Sequence, residues 1–162
     1  MQKTTLLLLL FFTISIIGQT THNINNPEQI ESLSLNAGDT VILADGTYTS
    51  DERIKFSPTT ATAALPITFK AATPGGVVFT GGLRMSIGGD NVIVDGFHWK
   101  GGYGASNFIE FRDGSDYANN STIQNCAIDG LEISPDDKAD DGTTSITKHR
   151  WIVLYGTNNT VI

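Results

Sequence analysis

The sequence predicts an all-β fold of the right-handed parallel β-helix class, on three observations. Short β-type runs follow one another along most of the chain, clusters of Gly, Asn and Asp separate them, and one apolar motif recurs after such a cluster. Strands spaced in this way fit a sandwich, a barrel or a solenoid. The recurring motif selects the solenoid, because a unit with one apolar face buries it only by stacking on its neighbours.

The first element in chain order is a short helix over Pro27 to Leu33. Asn26 can cap it, Pro27 suits its first position, and Gln29 can reach back in a capping box. β-type runs follow at Thr40 to Leu43, Ile67 to Lys70, Val77 to Phe79, Val92 to Val94, Phe108 to Phe111, Thr122 to Ile123 and Trp151 to Tyr155. Turn signals lie between them, among them Ala37-Gly38-Asp39, Asp45-Gly46, Pro74-Gly75-Gly76 and Gly88-Gly89-Asp90-Asn91. The repeat aligns Asn91 to Phe97 with Ser121 to Ala127, and Asn159 begins a third copy. Ile93, Ile123 and Val161 then match, at spacings of 30 and 38 residues.

A solenoid end exposes core and strand edges and needs a cap. The helix and the strand at 40–43 sit where an N-terminal cap belongs. The third copy stops at Ile162 with no polar cap after it, so the sequence reads as the N-terminal part of a longer protein.

Composition narrows the function classes. The 162 residues suggest one domain or part of one. Charged residues make up 17% against a usual share of about 25%, which excludes a coiled coil, and 40% apolar content argues against a disordered tail. The net charge of −7 makes the chain a poor partner for nucleic acid, whose phosphates need Lys and Arg. Cys126 is the sole cysteine, so neither an internal disulfide nor a CxxC-type zinc site is possible.

Residues 1–20 read as a secretory signal peptide. Lys3 supplies the positive start, Leu6 to Phe12 is unbroken apolar sequence, and Gly18-Gln19 ends it. The run is short against the roughly 20 residues of a membrane span. A lipoprotein would need a cysteine at the cleavage point. The expected location is secreted or periplasmic, with no membrane attachment after cleavage.

Several motifs together carry a family resemblance. They are Leu35 to Tyr48 (LNAGDTVILADGTY), Pro66 to Gly81 (PITFKAATPGGVVFTG), Val92 to Gly102 (VIVDGFHWKGG), Phe108 to Arg112, Asn125 to Asp129, and Trp151 to Asn159. In this order they resemble polysaccharide lyase family 6, the alginate lyase and chondroitinase-B-like group, over nearly all of residues 21–162. The first motif alone is weak; the ordered set is specific. The resemblance implies a parallel β-helix lyase that cleaves an acidic, uronic-acid polysaccharide by β-elimination, alginate foremost. It implies a Ca²⁺ that neutralises the uronate carboxylate while a lysine takes the C5 proton and an arginine assists the leaving group. It also implies that the Asn, two Glu, Lys and Arg of that machinery lie in later coils. The catalytic and metal-binding residues are therefore expected beyond Ile162, with none in this chain.

For substrate contact the sequence offers Arg112 and Arg150. Arginine suits paired hydrogen bonding to carboxylates. Arg112 has a plainer reading as a turn residue paired with Glu110 or Asp113. Arg150 closes the basic cluster Lys148-His149-Arg150, which also offsets the acidic stretch Asp136 to Asp141. Asp136 to Gly142 lacks the ligand spacing of an EF-hand and reads as a solvated excursion between coils. Trp151 and Tyr155 could stack on sugars, although strand aromatics usually fill a core. His98 reads as packing, Asp95 and Asp129 as turn-forming, and Cys126, aligned with Gly96, as a buried inert thiol. Other functions compatible with these coils are a non-catalytic carbohydrate-binding β-helix, a chondroitin or dermatan lyase, a pectate lyase and an epimerase.

Overall fold

The computed structural model describes residues 18–102, 107–130 and 150–162. Most of the expected leader, the acidic stretch at 136–142, and Lys148 and His149 lie outside the described residues. Among the described residues, no helix is long and apolar enough to cross a membrane.

The chain winds as a parallel β-helix. Strand β1 (Thr21–Ile24) and a 3-10 helix (Pro27–Ser32) precede the first coil, formed by β2 (Thr40–Leu43), β3 (Gly46–Thr49) and β4 (Arg53–Phe56). The second coil is β5 (Ile67–Ala71), β6 (Val77–Thr80) and β7 (Arg84–Ile87). The third is β8 (Val92–Asp95), β9 (Phe97–Lys100) and β10 (Asn107–Glu110), followed by a small hairpin of β11 (Arg112–Asp113) and β12 (Asp116–Tyr117). The fourth is β13 (Thr122–Gln124), β14 (Ala127–Asp129) and β15 (Arg150–Val153), and β16 (Thr160–Val161) follows. Equivalent strands stack in parallel into three sheets, ordered β1-β2-β5-β8-β13-β16, β3-β6-β9-β14 and β4-β7-β10-β15.

Each sheet sends alternate side chains inward, as the two-residue period of a strand requires. Val41, Phe69, Val94 and Ile123 form one inward ladder, and Ile54, Met85 and Ile109 another. Phe97 centres the core: its ring lies 4.7 Å from Phe69, 5.2 Å from Phe79 and 6.0 Å from Trp99. Those three contacts tie two sheets together across the interior.

The helix forms as the sequence predicts, with both halves of the capping box at Asn26 and Gln29, but as a 3-10 helix of six residues. That geometry suits so short a piece. Asp39 fastens the entry to the first coil. It is 0% exposed and accepts hydrogen bonds from the Thr20 and Asn36 amides, with His22 Nε2 at 3.0 Å. Burial acts to raise its pKa, but the Asn36 and Thr20 amides and His22 outweigh burial and hold it below the usual carboxylate value.

The structure corrects the repeat register. Ile123 pairs with Val94, and Thr122 with Ile93, so the true offset is the 29 residues that also separate Asp95 from Gln124. Val161 does pair with Ile123. The backbone explains the offset. Asn91, Asn120 and Asn158 occupy equivalent turn positions with φ of 54°, 52° and 57°, and Gly96 at φ 80° matches Asn125 at φ 52°. Only Gly, and next Asn, tolerates that left-handed region. A slip of one residue swaps faces; Ile93 points outward and is half-buried, whereas Val94 is in the core. Cys126 accordingly aligns with Phe97, whose amide lies 3.4 Å from its Sγ, and not with Gly96.

This register makes a stability prediction. Val94→Thr places a hydroxyl in the core and should cost about 1–3 kcal/mol, while Ile93→Thr should cost about 0.5 kcal/mol. Denaturant unfolding of the two variants compares them directly; equal losses, or a larger loss at Ile93, would contradict the 29-residue offset.

Candidate functional site

The outer face of the β4-β7-β10-β15 sheet gathers the chain's arginines. Along β4 and β7 the inward residues are Ile54, Phe56, Met85 and Ile87, so Arg53, Lys55, Arg84 and Ser86 face outward. Arg53 and Arg84 are register partners, and Glu110 pairs with Ser86 on one side and Val153 on the other.

Glu110 holds this face together. It is only 7% exposed. Its Oε1 accepts from Asn107 Nδ2 at 3.0 Å and lies 3.2 Å from Arg53 Nη2, and its Oε2 accepts from Arg112 Nε at 2.7 Å. Arg53 also donates to Ser86 Oγ and to the Asn107 carbonyl. Arg150 Nη1 donates to Asn107 Oδ1 at 3.3 Å. One hydrogen-bonded chain therefore runs Arg150–Asn107–Glu110–Arg112, with Arg53 bound to its centre. Two guanidinium groups contact one carboxylate and a third joins them through Asn107, which leaves a net positive patch on an acidic protein.

The charges of the patch follow from these contacts. Burial acts to raise the pKa of Glu110, but the hydrogen bonds from Arg112 and Asn107 and the charge of Arg53 outweigh it and hold the carboxyl below its usual value. Burial lowers the Arg53 pKa despite the opposing charge of Glu110; the hydrogen bond to Glu110 raises that of Arg112. A guanidinium titrates so high that both remain cations.

Both arginines proposed from the sequence thus lie in one network. Arg112 does pair with Glu110, as its plainer reading expects, and its guanidinium also lies 4.2 Å over the Tyr155 ring. The sequence reading does not include Arg53 or Asn107. The signal was present: Arg53-Ile54-Lys55-Phe56 and Arg84-Met85-Ser86-Ile87 share a charged-apolar alternation. Trp151 departs from the expectation of core packing, being 53% exposed, and Tyr155 lies past the end of β15. Asp95 makes inter-coil bonds to Gln124 and Asn125 instead of an Asx turn. His98 is half-buried on β9, and its Nε2 finds no hydrogen-bond partner among the described residues. Cys126 is half-buried, and burial pushes its thiol up to about 11, which makes it unreactive. Among the described residues, no three His, Cys, Asp or Glu side chains come together to hold a metal ion.

Glu110→Gln tests the centre of the network. A carboxylate held below its ordinary pKa adds stability at pH values above its unfolded pKa, and this stability is lost as pH falls through the folded value. The variant should lose roughly 1–3 kcal/mol at neutral pH, less where solvent screens the partly open arginines. Its stability should fall less steeply than that of the parent chain as the pH drops below about 4. Unfolding midpoints across that range check this, and parallel pH curves would count against it.

Comparison with known proteins places these coils. The model of the Chondroitinase B family matches residues 23–160. No curated protein sequence matches the chain. A mannuronic acid specific polysaccharide family 6 lyase from human gut microbiota shares 25% identity at a TM-score of 0.73, over 88% of this chain and 33% of its own. The PL6 family alginate lyase AlyGC shares 27% identity at a TM-score of 0.69, over 87% of this chain and 18% of its own. A PL6 family polysaccharide lyase from Pseudopedobacter saltans shares 25% identity at a TM-score of 0.60, over 86% of this chain and 30% of its own. The chain thus spans a third or less of the length of these similar structures. With 23–160 matched by one family model and the parallel coils shared with these lyases, the chain belongs to the Chondroitinase B family.

Proposed function

We propose that these coils form the N-terminal part of a secreted polysaccharide lyase that cleaves uronic-acid polysaccharide by β-elimination, with alginate the first substrate to test. The family match over residues 23–160 carries this reading. The names of the similar structures support alginate over the sulfated chondroitin and dermatan chains. Residues 1–20 would be the secretion signal, which puts the mature protein in the periplasm or the medium with its polymer substrate.

In this reading the cationic face holds the polymer. A uronan carries one carboxylate per sugar, and Arg112 and Arg150 offer paired N–H donors to such groups. Glu110 and Asn107 orient the two arginines, so their rotamer freedom is already restricted before binding. β-Elimination removes the C5 proton beside the carboxylate and expels the 4-linked oxygen, leaving an unsaturated sugar. The base and acid for that step are assigned to no residue described here. In the complete protein a Ca²⁺ held by ligands outside the described residues would neutralise the uronate carboxylate.

The test is the product of the complete gene incubated with alginate. The expected outcome is a steady rise in the ultraviolet absorbance of the unsaturated product, abolished by a calcium chelator and absent with a neutral glucan. Product from chondroitin or dermatan sulfate alone would move the substrate assignment. Binding to alginate with no product would favour a non-catalytic carbohydrate-binding β-helix, a reading that the same arginine face supports. Neither binding nor product from any uronan would overturn both.

A further inference from the structure

We infer that the β11–β12 hairpin and Tyr155 form a sugar-stacking subsite, in which an aromatic face receives the ring of a uronate while Arg112 takes its carboxylate. This rests on the polysaccharide reading above and adds residues that reading does not use.

The hairpin has two chemically different faces. Arg112 and Tyr117 are directly opposed across its two strands, and Asp113 and Asp116 form the other opposed pair. Opposed residues of an antiparallel pair share a face. One face therefore carries a cation and an aromatic ring, the other two carboxylates. An anionic sugar is attracted to the first and repelled by the second, so the hairpin defines the side on which it binds.

Both strands are fixed in place. Asp113 Oδ2 accepts from Ser57 Oγ at 3.1 Å, Arg112 is held by Glu110, and the Ala118 amide donates to the Phe111 carbonyl. Tyr155, from the next coil, stacks on Tyr117 with ring centroids 5.8 Å apart and planes at 11°. The Arg112 guanidinium lies against the same Tyr155 ring. The platform is therefore ordered without ligand, which reduces the entropy lost on binding.

Two features point to a ligand. Tyr117 is 52% exposed, although most of the aromatic rings among the described residues are packed in the core. Among the described residues, Arg112 hydrogen-bonds only through Nε, which leaves its two terminal nitrogens free to fork a carboxylate. Aromatic rings accept the C–H faces of sugars, and a guanidinium beside them selects sugars that bear a carboxylate. Each feature alone would serve any apolar or any anionic ligand; side by side they specify a uronate.

The experiment compares ligands and variants on the full chain. The probes are a mannuronate oligomer and a polyglutamate of equal charge, which has carboxylates but no sugar face, and binding is read by titration calorimetry. The oligomer should bind about 3- to 10-fold more tightly than polyglutamate. Tyr117→Ala should remove that preference and leave polyglutamate binding unchanged, and Tyr117→Phe should keep it. Arg112→Ala should weaken both ligands. Circular dichroism establishes that each variant is folded. If Tyr117→Ala keeps the preference while Arg112→Ala weakens binding, the stacking subsite is wrong and the arginine reading stands. If the parent chain binds neither probe, or Arg112→Ala and Arg150→Ala change nothing, both are wrong.

Discussion

Parallel hydrogen bonding between successive coils is the constraint on which this structure depends. Each strand of a coil pairs with the equivalent strand of a neighbouring coil, so no coil satisfies its backbone alone. That pairing also sets the inward ladders, because residues matched in register meet in the core. The interior is accordingly a stack of like side chains, and Phe97, touching Phe69, Phe79 and Trp99, binds the ladders of different sheets into one cluster.

The same pairing leaves the outward positions free to carry chemistry. On the β4-β7-β10-β15 sheet they carry arginines, and the repulsion among them is met by Glu110 at their centre. A nearly buried carboxylate is costly without partners. Here the cost is offset by three donors, and those donors are fixed in return. The polar network thus holds the position of Arg112 and the hairpin that follows it. An acidic chain can in this way present a locally cationic, ordered surface to a polyanion.

Family membership and function stand on different supports. The coils and their motifs place the chain among the Chondroitinase B family. The match covers 18 to 33% of the similar lyases, and the lyase reaction is a property of those longer proteins. Within the described residues, the chemistry we propose is recognition of carboxylate and sugar, by residues already held in one hydrogen-bonded network.

The sequence by itself determined the solenoid, the capped helix at Pro27, most of the inward strands and the family. These follow from local signals: alternation of apolar residues, Gly and Asn at turns, and a capping box within a few residues. It also pointed to Arg112 and its partner Glu110, because they are two residues apart. Only the tertiary structure decided the register of the repeat, since Ile93 and Val94 are equally apolar and the backbone φ at Asn91, Gly96 and Asn125 selects between them. It alone joined Arg53, Asn107, Glu110 and Arg150, and set Tyr117 on Tyr155, because the winding of the coils brings together residues far apart in sequence. Local pattern specifies which face a residue takes within its own strand; the coil-to-coil register specifies whom it meets there.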